Sequence, residues 1–383
     1  MVHHTATGRP ASSVLVTGSG IAGTAVAILL ARSGVAVDLV EARSRDHATG
    51  SGITLQGNAL RVLRQLGVWP EIEKHGWGFD ALGIRAADAY GTLLAQMDDA
   101  KTGGPDLPAT MGMERPVLAQ ILRDAADLAG VKSRFATTVT AFTQDATGVD
   151  VDFSDGSRSR YDVMIGADGV RSSTREALGI ELETTPTGMG IWRVLCSRPT
   201  SITHTDLFYG GVGYIAGYCP TGPDSMYAYI VEDAQDRSGL TDDQRLQVMR
   251  SLAEHYHGPW DDIRELIDDP TRINYTWFES HLLDGPWNVG RVVLIGDAAH
   301  VCPPTLAQGG AQALEDAAVL AELLTSEPVG DDLWAAFHER RAGRAAAVVA
   351  ASLQLGRWML DHEPEPDVPA LMGRIADLVS TPA

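Results

Sequence analysis

The chain has 383 residues, 44% hydrophobic and 21% charged, with a formal charge of −20. That length predicts one large or two coupled domains, and no apolar run reaches the roughly 18–20 residues that a membrane span needs. Nucleic acid and anionic membranes are bound by clustered Lys and Arg, so the negative balance excludes them as partners. Cys196, Cys219 and Cys302 have no paired or metal-ligand spacing and nothing resembles a signal peptide, so a reducing cytoplasm is expected. His3 and His4 lack partner ligands in the polar leader Met1–Ser13 and read as a disordered tail; no metal site is expected.

Val14-Leu15-Val16-Thr17 is a β-branched run leading into Gly18-Ser19-Gly20-Ile21-Ala22-Gly23, an apolar helix over Thr24–Ser33, and a second strand, Val35–Val40, that ends at Glu41. This βαβ unit is the setting in which GxGxxG binds a dinucleotide. Gly18 permits the turn, Gly20 admits a pyrophosphate to the backbone, and Gly23 lets helix and strand pack closely. Glu41 accepts from a ribose and repels a 2′-phosphate, so FAD or NAD is expected here. Ile21, Ala22, Ala42 and Arg43 belong to the same cofactor-binding set.

Farther along, Gly50–Leu55 reads as extended, Asn58–Gly67 as a helix, and Leu82–Ala89 with Thr92–Met97 as a hairpin. After the linker Lys101–Pro108, Arg115 opens a helix to Leu128. Thr138–Phe142 and Val149–Phe153 read as a second hairpin. Asp162–Gly169 then repeats the strand and glycine turn, with Asp168 in it, and runs into the short helix Ser172–Leu178 carrying Arg175. Residues 188–231 are rich in aromatic and β-branched types and predict an antiparallel sheet. Thr241–His257 is a helix and Ile273–Leu283 a strand. Val292–Ile295 leads into Gly296-Asp297-Ala298-Ala299-His300, a Pro303-Pro304 corner, and Ala307-Gln308-Gly309-Gly310 opening a helix to about Leu324. Leu333–Leu360 is a long helix, and the residues from Pro364 a loosely patterned tail.

Gly296, Asp297, Pro304, Gln308, Gly309 and Gly310 suit the second half of a large cofactor: Asp297 accepts from sugar or ribityl hydroxyls, and the helix start offers free amides to an anion. A reduced flavin carries such charge; a nicotinamide does not. One extended cofactor then bridges both ends of the chain.

Three ordered motifs over residues 14–325 now resemble the FAD-dependent single-component aromatic hydroxylases, the group of p-hydroxybenzoate hydroxylase. They are Gly18-x-Gly20-x-x-Gly23 with Glu41; Gly166-Ala167-Asp168-Gly169 with Ser172 and Arg175; and Gly296 through Asp316. Arg115 looks like that family's FAD-contacting arginine. The Ala307-Gln308-Gly309-Gly310 wording is similar to the salicylate, 3-hydroxybenzoate and 6-hydroxynicotinate hydroxylases. The resemblance implies an α/β fold with a Rossmann-type FAD-binding domain (1–80, 107–182 and 284–327), an inserted antiparallel-sheet substrate domain (81–106 and 183–283) and a C-terminal helical segment (328–383). It implies bound FAD, transient NADPH or NADH, and O2 that hydroxylates a small aromatic substrate through a flavin C4a-hydroperoxide, in a monomer or homodimer. Epoxidation, reduction, antibiotic modification and non-catalytic FAD binding stay open on the same scaffold.

For the substrate, Tyr214 and Tyr218 fall on one strand face by alternation, and Tyr209, Tyr227 and Tyr229 belong to the same sheet. Tyr214, Arg193 and Pro304 are the candidate catalytic positions, Tyr214 as an orienting hydroxyl and Arg193 as partner of a substrate carboxylate. His300 and Cys302 read as structural, and Thr54 stands where some relatives of this group carry a His or Gln beside the flavin.

Overall fold

In the first strand, Ser13–Thr17, the side chains of Val14, Leu15 and Val16 are all fully buried, which requires cover on both faces of its sheet. The computed structural model describes residues 9–45 and 50–383, so His3 and His4 lie outside the described residues. That strand sits inside a six-stranded sheet ordered Asn288–Val289, Val292–Leu294, Val163–Gly166, Ser13–Thr17, Ala36–Glu41, Lys132–Phe135. Its pairs are parallel except for the edge hairpin at 288–294.

Because strand side chains alternate, Val14, Val16, Val163 and Ile165 enter one core while Leu15, Met164 and Val40 enter another. The helices Ile21–Arg32, Arg115–Leu128 and Gly309–Ser326 pack into the first core. A three-stranded antiparallel sheet, Val139–Gln144, Val149–Phe153 and Arg158–Tyr161, covers the second. Its last strand is an addition to the expected hairpin. Arg158 and Arg160 stand directly opposite Asp152 and Asp150 and pair with them, so this strand is held by cross-strand charge where an apolar pattern would have betrayed it.

The antiparallel sheet expected from residues 188–231 is part of an eight-stranded one, ordered His300–Val301, Ile273–Leu282, Thr185–Ser197, Ser225–Asp233, Ile215–Pro220, Thr205–Tyr209, Ala81–Ala86, Leu93–Asp98. Along Thr185–Ser197, Trp192, Val194 and Cys196 point into a core with Met249, Trp260 and Ile263. The alternate residues Met189, Ile191 and Arg193 line a cavity on the opposite face. The helix expected over Thr241–His257 forms as Asp242–Ala253, and a second helix, Pro259–Glu265, follows beyond the expected range. Gly258, at φ 68°, makes the left-handed break and Pro259 starts the second.

The tail beyond Pro364 is corrected more substantially. Val368–Ser380 is a helix, capped by the Asp367 carboxylate accepting from the Ala370 amide, with Leu371, Ile375 and Val379 buried at helical spacing. It packs on Asp331–Leu360 and Gly57–Gln65. At its C-terminal end the carbonyls of Leu378 and Val379 accept from Arg344 and Arg61, so cations meet the negative end of the dipole. Leu371→Ala should therefore cost about 2–5 kcal/mol in denaturant unfolding; a change within error would mean the segment does not pack.

Candidate functional site

Three helix starts converge on the cavity, whose volume is about 570 Å³. The first is the glycine turn. Gly18 adopts φ 95°, and a Cβ there would lie 2.4 Å from the Ala167 carbonyl oxygen; one at Gly23 would lie 2.0 Å from the Gly18 oxygen. Gly20 differs. A Cβ on it would meet nothing within 4 Å, and the residue lines the cavity with Ile21 and Ala22 at the start of an uncapped helix. Steric need at Gly18 and Gly23 is internal to the fold, whereas the space at Gly20 is room for a ligand against backbone amides.

Glu41 ends the adjacent strand and accepts from the Ser19 amide at 2.9 Å and hydroxyl at 3.1 Å through one oxygen, and from the Arg43 amide at 2.9 Å through the other. An ionised carboxylate has about four acceptor positions, which leaves one for a ribose hydroxyl. Ala42 and Arg43 are exposed beside it. Arg115 opens the second converging helix, lines the cavity, and donates from Nε to the Gly52 carbonyl at 3.1 Å.

The third start is Gly309–Ser326. Pro304 lines the cavity and begins a short 3-10 turn; Ala307 then takes φ 52°, and Gly309 and Gly310 present the first amides of an 18-residue helix with no side-chain cap. The left-handed turn at Ala307 costs a non-glycine residue roughly 1–2 kcal/mol, and it aims that helix start at the cavity. Asp297 is exposed to the same space, and the protein walls around its carboxyl desolvate it and raise its pKa above the ordinary carboxylate value. His281 donates from Nε2 to the Asp297 carbonyl and accepts at Nδ1 from Thr184. Burial, with Arg175 nearby, lowers the His281 pKa to about 4, so it is neutral at physiological pH.

Behind this wall lies a polar network that the sequence reading did not foresee. The fully buried Asp316 accepts from the Gly296 amide at 2.8 Å, from His300 at 2.7 Å and from Arg341 Nε at 2.7 Å. Its neighbour Glu315 takes Arg341 and Arg344. Asn58 links Glu315 to Gln308, whose amide also bonds Gln56. His300 is thus structural, as expected. The adjacent Glu315-Asp316, facing Arg341 and Arg344 one helix later, was the available signal.

Several expected site residues fall elsewhere. The Asp168 carboxylate is occupied by Ser172, Ser173 and Thr174 and caps the helix Ser173–Ala177, while its neighbours Ala167 and Gly169 line the cavity. Gln308 is buried in the network, leaving the amides beyond it to face a ligand. Gly296, at φ 59°, is a packing residue: a Cβ there would come 3.0 Å from that of Ala22. Arg175 bridges the second and third motifs, donating to the carbonyls of Val170 and Ala298.

Tyr214 is not on the cavity wall. It precedes the strand Ile215–Pro220, so alternation does not reach it, and its hydroxyl donates to Asp233. Tyr218 points into the other core, bonded to Asp206. Cavity tyrosines are instead Tyr209, Tyr227 and Tyr229, around Arg193. Tyr227 Oη lies 2.6 Å from Thr54 Oγ1, and burial pushes its pKa up. Arg193 donates to Thr276 at 2.8 Å; burial, then the charge of Arg115, lowers its pKa to about 10, which leaves it cationic at neutral pH.

A cradle at Gly20, uncapped amides at two helix starts and a carboxylate at Asp297 fit a long, anionic, hydroxyl-bearing cofactor. The family model described as FAD binding domain matches residues 11–352, and the chain belongs to that family. It is an FAD-dependent monooxygenase. The chain is 32% identical over 360 residues to 2-heptyl-3-hydroxy-4(1H)-quinolone synthase of Pseudomonas aeruginosa, covering 90% of each protein. It is 30% identical over 355 residues to aurachin C monooxygenase/isomerase of Stigmatella aurantiaca, again covering 90% of each. The crystal structure of Klebsiella pneumoniae HpxO complexed with FAD and uric acid superimposes with a TM-score of 0.81 over 97% of both chains at 22% identity, a likeness of fold. Among the described residues no helix is long and apolar enough to cross a membrane.

Two substitutions separate ligand space from fold. Gly20→Ala should leave apoprotein stability within about 0.5 kcal/mol yet weaken FAD binding roughly tenfold or more, a loss of about 1.4 kcal/mol, measured by flavin fluorescence titration; unchanged affinity would remove Gly20 from the cofactor's path. Arg341→Met removes a cation shared by two buried carboxylates and should cost about 3–5 kcal/mol, read as a drop in Tm.

Proposed function

We propose that this monooxygenase hydroxylates a small aromatic or heteroaromatic substrate with O2 and NADH or NADPH, the ring lying between the Asp297–Pro304 wall and the sheet face of Arg193, Tyr227 and Tyr229. One observation carries the reading: one cavity is lined on one side by the cofactor-type helix starts and on the other by a guanidinium among tyrosines. The two relatives named above, a quinolone synthase and an aurachin monooxygenase, support it.

In this reading Gly18, Gly20, Ile21, Ala22 and Glu41 hold the adenosine and pyrophosphate end of FAD, Arg115 supports its middle, and Asp297, Gly309 and Gly310 hold the flavin end. Reduced FAD supplies the activation of O2 and the transfer of one oxygen atom. The balance is substrate C–H, O2, NAD(P)H and a proton giving substrate C–OH, water and NAD(P)+. Such a nicotinamide-consuming reaction belongs in the cytoplasm, in a monomer or homodimer.

The protein's own work is positioning and exclusion of water. Arg193 stays charged and meets an oxygen anion or carboxylate on the ring. Tyr227, with its raised pKa and its bond to Thr54, is a neutral hydroxyl that orients the substrate and is a poor base. Pro304 gives a rigid wall with no N–H of its own. Electron density for the reaction then comes from the substrate's own hydroxyl or ring nitrogen.

The purified protein should be yellow or reconstitute with FAD, and phenols, hydroxypyridines or quinolones should accelerate its NAD(P)H oxidation. Arg193→Met should lower kcat/KM roughly 10–100-fold, the value of a charge-assisted hydrogen bond of about 1.5–3 kcal/mol, with flavin content unchanged. Bound flavin with no aromatic compound accelerating oxidation would sink the proposal.

A further inference from the structure

The cavity face of the eight-stranded sheet changes polarity from one cross-strand row to the next. Arg193, Tyr229, Gly217 and Leu207 stand side by side in one row. The next, about 7 Å along the strands, is Ile191, Val231, Ile215 and Tyr209. Beyond it Met189 and Phe278 continue the apolar surface; Met189, Ile191, Val231 and Phe278 are all at most 5% exposed. A guanidinium therefore borders a surface with no charge in its first row.

That apolar end is closed by the part of the chain for which the sequence reading gave no role in the site. Leu355, Met359 and Met372, from the last two helices, line the same cavity. The long helix approaches closely: a Cβ at Gly356 would come 2.8 Å from Met189 Cε. Met189, Met359 and Met372 are unbranched and adaptable, the side-chain type that accommodates a flexible apolar guest of variable length.

We infer that the substrate carries an apolar chain, of linear-alkyl type, attached to its aromatic head: the head lies on the Arg193–Tyr229 row and the tail runs over Ile191 and Val231 toward Met359. This rests on the hydroxylation reading above and adds the substituent to it. A bare head makes no use of that apolar surface, whereas a chain laid between it and the last two helices transfers its methylenes out of solvent.

The test uses the FAD-loaded enzyme and three heads, a phenol, a hydroxypyridine and 4(1H)-quinolone, each bare and with alkyl chains up to heptyl. Binding is measured calorimetrically without nicotinamide, and turnover by coupled NAD(P)H and O2 consumption. On a head that is hydroxylated, Kd should fall about fourfold per added methylene over the first carbons, corresponding to about 0.8 kcal/mol each. A terminal carboxylate on the longest chain should abolish the gain in the unmodified protein, so this arm does not depend on any variant folding. Met359→Trp should make the gain stop at a shorter chain. A bare head that is bound and hydroxylated, with chains neutral or harmful, overturns this inference alone. If no head, bare or chained, accelerates oxidation, the hydroxylation reading falls and this inference with it.

Discussion

Asp316 is buried completely, and burial alone would push its carboxyl toward the neutral form. His300, Arg341 and the Gly296 amide reverse that and hold its pKa below the ordinary value. Each donor comes from a different piece of the cavity wall: the turn after the strand Val292–Leu294, the short strand joining the eight-stranded sheet, and the long helix Asp331–Leu360. One charged acceptor thereby fixes how three elements meet. Removing a single partner would leave a buried charge unpaired, which is why such networks constrain geometry strongly even where their net contribution to stability is small.

On that rigid wall the electrostatics are one-sided. The chain carries a formal charge of −20, yet uncapped starts of Ile21–Arg32 and Gly309–Ser326, with Arg115 and Arg193, face a common space. Partial positive charge from backbone amides is fixed in place and needs no reorganisation when an anion arrives. Asp297 supplies the acceptor among these donors. His281, neutral above about pH 4, holds the Asp297 backbone without adding another cation.

The glycine turn in this arrangement was legible in the sequence because its constraints are local. Gly18 and Gly23 are dictated by backbone atoms only a few residues away or on the adjacent strand, and strand, turn and helix follow one another without interruption. The sheet face of the cavity was less legible. Tyr214 stands just before one strand and Tyr227 lies inside the next, and which of them faces the cavity depends on where each strand begins. The pairing of Glu315 and Asp316 with Arg341 and Arg344 joins separate helices, and no periodicity reports it. Asp168 shows the converse: a motif residue whose carboxylate serves the turn that carries it. Leu371, Ile375 and Val379 had helical spacing, but short apolar stretches after prolines carry little weight alone.

The helices at 331–360 and 368–380 wall the cavity that the glycine turn begins. The glycine turn and those helices lie far apart in the sequence, so the cavity is complete only when both have folded, and unfolding the two helices alone would present Met189 and Ile191 to solvent.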